Sequence, residues 1–414
     1  MKNNLKILSL ALFVTLIFSQ FAFAKTVDIH FWHALGGDNG KVLEGLIERF
    51  NKEQDEVKVN YAWTGNYEQS LQKIMAAIAA GIQPDLAQME QTYGARLVSA
   101  KLLIPAHKII NDLGGLDVTD IAEPFWMNNT YDGEVLSIPF NMSTPVLYYN
   151  KEHFKAAGLD PEHAPETWEE LASYAKELTI PGKQVGFAYM STGAQWIFES
   201  FVWQNGGQIL SADEKQVLLN NQEGVETLKF LVDLVNKDKV AEFIPGDQAT
   251  EDFKTGRLSM VIQSSASLGP MIRQVGFDMG VAKLPGQKEH AAAMGGANIV
   301  FFDTKSSERL EATWKFVQWL LSPDVMADFS LATGYVPVTT SAAQTEKMLT
   351  AVAADPRLSV ALEQVSVGRA RPRLASYAEF QSILGEYVTH AMYGNLTPDK
   401  ALEQFAKRAG SLVK

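Results

Sequence analysis

From Val27 to Ala100 the hydrophobic residues switch repeatedly between two periods, and this switching narrows the possible folds more than any other feature. Val27 to Trp32 reads as a strand, and Val42, Leu43, Leu46, Ile47 and Phe50 then fall at helical spacing. Val57, Val59 and Tyr61 alternate as a second strand, and Tyr67 to Ala80 returns to the helical period. Pro84 to Ala87 is a short extended run before a helix around 95–100. Strands that alternate with helices predict a mostly parallel sheet covered by helices, with ligands at the carboxyl ends of the strands.

The later chain repeats the theme. A second unit opens after Pro139-Phe140-Asn141 with a strand over 145–150, and Thr167 with Glu170 predicts a capping box before a helix over 168–178. Helical patterns follow over 196–204, 224–235 and 308–321, the last with Leu310, Trp314, Val317 and Leu321 as its buried stripe. Pro323-Asp324 starts another helix that stops at Thr333-Gly334 before an extended 335–339. The remainder is helical, most clearly over 379–393 and 397–412. The 414 residues suffice for two domains. With no repeat and no long linker, the expected form is two compact lobes joined by short crossings.

The amino terminus reads as an address label. Lys2 and Lys6 precede an apolar run over 7–18, and Ala22-Phe23-Ala24 suits a signal peptidase. That run is far short of the ~20 residues that a membrane-spanning helix needs. Residues 1–24 are therefore predicted to be a signal peptide, and no later segment is apolar enough to span. Losing Lys2 and Lys6 moves the formal charge from −12 to −14. Such an acidic chain is ill suited to nucleic acid or an anionic membrane surface. The chain contains no cysteine. This excludes disulfide scaffolds, thiolate metal sites and thiol catalysis, and leaves nothing at the cleavage site to lipidate. A protein free in a Gram-negative periplasm is the expectation.

Catalytic patterns are missing. The seven histidines show no metal-ligand spacing, and there is no nucleophile elbow or phosphate-cradling loop. Glu169 and Glu170 sit in a helix's first turn, where they offset its dipole. Aromatic residues stand near predicted loops instead: Trp32, Tyr67, Trp126, Trp196 and Tyr335. Any one of them can be simple packing. Together they suit a site that stacks rings on a polyol and hydrogen-bonds its hydroxyls. Ser264-Ser265-Ala266-Ser267 reads as a helix start, and Gly295-Gly296 as a place where backbone can approach a ligand; a plain cap and a plain turn are the competing readings.

Several stretches resemble the family-1 solute-binding proteins of ABC importers. They are Phe31-Trp32-His33, Gly65-Asn66-Tyr67-Glu68-Gln69, Pro139-Phe140-Asn141, the run from Ser143 to Asn150, and Thr333-Gly334-Tyr335-Val336-Pro337. Within the family, the second and fourth of these are most similar to the binders of glycerol phosphate. The resemblance implies an α/β fold of two lobes, each a mostly parallel sheet flanked by helices, with the ligand in the cleft between them. It implies residues 25–140 and about 290–335 for the first lobe, and 141–289 and about 336–414 for the second. Tyr67 and Glu90 match positions that hold glycerol hydroxyls, while Ser143, Ser264, Gly296 and Tyr335 match positions around the phosphate.

The chain departs from that pattern twice. Of two tryptophans three apart, Trp196 alone is present, after an extra residue. The phosphate arginine aligns with Gln381, while Arg369, Arg371 and Arg373 stand eight to twelve residues earlier. Arg373 is taken as the replacing cation.

The implied function is periplasmic binding of sn-glycerol 3-phosphate or a related glycerophosphodiester. The alternative ligand is an uncharged sugar, oligosaccharide or sugar alcohol. Implied partners are the permease subunits of an ABC importer and their cytoplasmic ATPase. No cofactor and no catalytic residue is implied, and the free protein is expected to be a monomer. A secreted hydrolase and an adhesive protein are the readings from other classes, and neither finds its residues here.

Overall fold

A computed structural model describes residues 25–131 and 133–413; the expected signal peptide, 1–24, lies outside the described residues. In chain order the principal strands are β1 (Val27–His33), β2 (Val57–Trp63), β3 (Leu86–Glu90), β4 (Ile138–Ser143) and β5 (Pro145–Asn150). They continue with β6 (Val185–Met190), β7 (Ala241–Ile244), β8 (Leu258–Ser264), β9 (Met279–Ala282) and β10 (Gly295–Phe301). Two five-stranded sheets result, ordered β2-β1-β3-β10-β4 and β9-β5-β8-β6-β7.

Within each sheet four strands run one way and one runs against them. In the first sheet the opposed strand is β10, antiparallel to both β3 and β4. In the second it is β5, antiparallel to β8 and β9. These two strands follow crossings between the sheets. β4 passes into β5 through the single residue Thr144, and β10 begins beside it, with Gly295 opposite Ser143. The carboxyl ends of β3 and β4 therefore face those of β6 and β8 across the crossings.

Helices cover both sheets. Those used below are α1 (Gly37–Glu53), α2 (Tyr67–Ala80), α3 (Trp168–Glu177), α4 (Ala194–Gln204), α5 (Leu268–Gln274), α6 (Pro323–Thr333) and α7 (Tyr377–Met392). The periodic residues behave as their spacing predicts: Leu43, Leu46, Ile47 and Phe50 of α1 are all buried. Burying each such side chain contributes about 1.5–3 kcal/mol. α4 is different, because eight consecutive buried residues from Ile197 to Gln204, with Ala194, leave almost no solvent face.

Two local expectations are modified. Thr167 caps α3 by accepting the Glu170 amide at 3.1 Å, but Glu170 reaches the Glu166 amide at 2.8 Å instead of Thr167, so the box closes one residue early. Residues 336–354, expected in the second lobe, associate with the first sheet's side. Val336 bridges Met142, Thr339 bridges Ile121, and the helices over 340–343 and 346–354 pack on α6, which itself packs on α1. Among the described residues no helix is long and apolar enough to cross a membrane.

Candidate functional site

The crossings gather small and polar residues where the two sheets meet. Ser143 ends β4, and Gly295 opposite it cannot carry a side chain: a Cβ there would lie 2.8 Å from Trp196 Cζ2 and 3.2 Å from Ser143 Oγ. Gly296 has φ +110°, a conformation open to glycine, and a Cβ would fall 2.1 Å from the Asn141 carbonyl. Trp196 lies in the first turn of α4, and its indole donates to the Ala293 carbonyl at 3.2 Å. Ser143, Trp196 and Gly296 thus meet on one short stretch of backbone.

Tyr67 arrives from the first sheet's side. Asn66 and Gln69 bond each other's amides as a capping box, which makes Tyr67 the first residue of α2. Its hydroxyl accepts from Asn141 Nδ2 at 3.2 Å and from Gln88 Nε2 at 3.4 Å, and Gln88 also donates to Asn141 Oδ1 at 2.8 Å. Tyr335 joins this network through Tyr67, Asn141 and Asn39. Its ring stacks on Phe329 at 5.5 Å. Burial pushes both phenols above their ordinary value, so both are neutral near pH 7 and can donate or accept.

Ser264 stands across Thr144, at the end of β8 and paired with Pro145. Its hydroxyl accepts the Ala266 amide at 3.2 Å, capping the single 3₁₀ turn Ser265–Ser267 that leads into α5. The cap reading of Ser264 is therefore real, and its hydroxyl proton remains available to a ligand.

Glu90 ends β3, where its neighbour in β10 is Ala297. One carboxylate oxygen accepts the amide and hydroxyl of Thr92, and the other accepts Arg371 Nη1 at 2.9 Å. Arg371 also donates from Nε to Glu199 of α4 at 3.1 Å. Tyr377 and Gln381 of α7 donate to the second Glu199 oxygen at 2.6 and 3.1 Å. Burial opposes the charge on Arg371, but the Glu199 and Glu90 carboxylates outweigh it and raise its pKa. Burial pushes Glu199 upward, against the pull of Arg371, Tyr377 and Gln381.

Arg373 is not brought to this group. It is exposed, its Nη1 donates to the Thr130 carbonyl at 2.9 Å, and its amide donates to Glu214 at 3.1 Å. It lines a second cavity, of about 500 Å³, together with Trp126, Trp203 and Arg371. The cation beside Glu90 is Arg371, two residues earlier. Residues 370–374 belong to no helix or strand, and along them Arg371 is buried while Arg373 is exposed.

A cleft of about 680 Å³ opens next to this cluster. Glu68, Gln72 and Tyr93 line it from the first side, and Gln195, Glu379 and Gln381 from the second. Sequence reasoning passed over Asn141, Gln88, Asn39 and Glu199 as site residues, and of the three arginines at 369, 371 and 373 it chose Arg373 where the structure brings Arg371. A signal for Glu199 was present: it is the one ionisable residue in an apolar helix, and such a group needs a buried partner. Among the described residues no group of histidine and carboxylate side chains could hold a metal ion.

Comparison with known proteins places this geometry in context. Residues 45–359 match the family model described as bacterial extracellular solute-binding protein. The sn-glycerol-3-phosphate-binding periplasmic protein UgpB of Yersinia pseudotuberculosis is 31% identical, over 100% of this chain and 98% of its own. The UgpB of Mycobacterium tuberculosis, solved with glycerophosphocholine, superposes with a TM-score of 0.85 at 23% identity, covering 93% of this chain and 98% of its own. The cyclic alpha-maltosyl-1,6-maltose binding protein of Arthrobacter globiformis gives a TM-score of 0.80 at 26% identity, covering 94% and 99%.

Proposed function

Because this chain belongs to the bacterial extracellular solute-binding proteins, we propose that it captures sn-glycerol 3-phosphate or a related glycerophosphodiester in the periplasm. It then delivers the ligand, as a monomer, to the permease subunits of an ABC importer. One feature carries this reading: acceptors for hydroxyls and donors for an anion are gathered at the same crossing. Glu90 and Tyr67 supply the first kind. The hydroxyls of Ser143, Ser264 and Tyr335 and the Gly296 amide supply the second. Each hydrogen bond to a charged group is worth about 1.5–3 kcal/mol, enough to hold an anion without a dedicated free cation. The lobes pivot at Thr144 and at the start of β10, and binding is the closing of the cleft on the ligand.

A second reading is an uncharged sugar. It is favoured by the carboxylates on both sides of Arg371, which leave the cleft poorer in positive charge than a phosphate site usually is. Titration calorimetry of the mature protein with glycerol 3-phosphate, glycerophosphocholine and maltose separates the two. Binding of either glycerol compound supports the first, and binding of maltose alone replaces it with the second.

A further inference from the structure

We infer that Glu199 sets the charge of the ligand this site accepts, by holding Arg371 in place and cancelling its charge. The inference rests on the glycerophosphate reading and refines it: the cleft favours a singly charged or zwitterionic diester over the doubly charged monoester.

Arg371 and Glu199 are 6% and 0% exposed, so neither is compensated by water. Three donors converge on the Glu199 carboxylate, from Arg371, Tyr377 and Gln381. An ionised carboxylate accepts all three, whereas a protonated one would turn a donor toward them. The remaining reach of Arg371 goes to Glu90. One guanidinium therefore sits between two carboxylates, and the group carries a net charge of −1.

This group borders the ligand space. Glu199 lies one turn beyond Trp196 on α4, and Gln381 lines the cleft. Tyr93, also on the cleft wall, has its phenol pushed up to about 12 by burial and then by Glu90, with Arg371 opposing. Charges interact strongly where water is scarce. A phosphate dianion entering the cleft meets a net negative charge, although a guanidinium stands there. A diester carries one negative charge fewer, and a cationic headgroup would be drawn to Glu90. Other charges nearby do not reverse the balance: Arg96 lines the cleft, but so do Glu68 and Glu379, while Arg369 pairs with Glu289 at 2.6 Å and Arg373 turns to Thr130.

Glu199 is a positioning residue, since it reaches the ligand through Arg371. Its test is the ratio of two affinities, which simple loosening of the fold would not move in one direction. The mature wild type should bind glycerophosphocholine at least about tenfold more tightly than glycerol 3-phosphate. Glu199→Gln keeps the size of the side chain and brings the group to neutrality; its one amide oxygen can still accept from Tyr377 and Gln381, while its NH2 replaces the acceptor that faced Arg371. It should improve glycerol 3-phosphate relative to glycerophosphocholine by about ten- to fiftyfold. The double variant Glu199→Gln/Arg371→Gln restores a net charge of −1 and should restore the wild-type ratio.

An unchanged ratio in a folded Glu199→Gln protein overturns the inference. If that variant does not fold, Gln381→Arg makes the same charge change against the same carboxylate, and an unchanged ratio there overturns it equally. If the wild type binds maltose and neither glycerol compound, the ligand reading fails by itself. The role of Glu199 is then decided by whether Glu199→Gln gains glucose 1-phosphate relative to maltose; no gain overturns it.

Discussion

Glu90 shows how a single carboxylate acquires a direction. Thr92 occupies one oxygen and Arg371 the other, so the carboxylate is held in one orientation and keeps lone pairs to accept further hydrogen bonds. Glu90→Ala removes an acceptor and also leaves Arg371 with one partner fewer. Calorimetry should record a ten- to hundredfold loss for a glycerol-bearing ligand, that is about 1.4–2.8 kcal/mol. Arg373→Ala makes the contrast. With its guanidinium on the Thr130 carbonyl, its removal should change the same affinity by no more than about twofold, within the range of surface substitutions. A tenfold loss would return Arg373 to the site. Which of Arg369, Arg371 and Arg373 meets Glu90 was not legible, because the partners of Arg371, at 90, 199 and 377, are far apart in sequence and share no local pattern.

At the scale of elements, periodicity was informative wherever one face is buried and the other wet. β1 alternates Ile29 and Phe31 inward, and α1 shows the same economy at helical spacing. Periodicity was silent for α4, which is buried on nearly every side, and for the direction of β5 and β10, which depends on crossings that leave no hydrophobic signature. The carboxyl end of β1 also carries a pH response. Burial lowers the His33 pKa from 6.5 to about 4, with a backbone hydrogen bond at Leu35 opposing. Between those two values the unfolded chain binds a proton that the folded chain refuses. Stability is therefore fully present above pH 6.5 and falls as pH drops toward 4, by about 3 kcal/mol at most. His33→Phe, which fills similar space and does not titrate, should flatten the dependence of melting temperature on pH across that window. An equally steep dependence in the variant would assign it to other groups.

For the whole molecule, the sheets touch at more than their crossings. Asn39 of α1 donates to the Ala266 carbonyl beyond β8 at 2.9 Å, and Asp38 lies 3.6 Å from Arg273 of α5. In the proposed closing motion these contacts form as the cleft shuts and break as it opens. Saturating ligand should lower the radius of gyration in small-angle scattering and shift tryptophan fluorescence through Trp196. Asn39→Ala should weaken the ligand several-fold by favouring the open form. Ligand binding with neither signal moving would rule out closure by the crossings.

The central claim is that the cleft between the two sheets holds a glycerophosphate compound, and it is tested most directly by what the protein already carries. Periplasmic protein can be purified without added ligand and denatured, and the released small molecules identified by mass spectrometry. A glycerophosphodiester is expected, in excess over glycerol 3-phosphate. A neutral oligosaccharide recovered in stoichiometric amount, with no phosphorus-bearing compound, would contradict it.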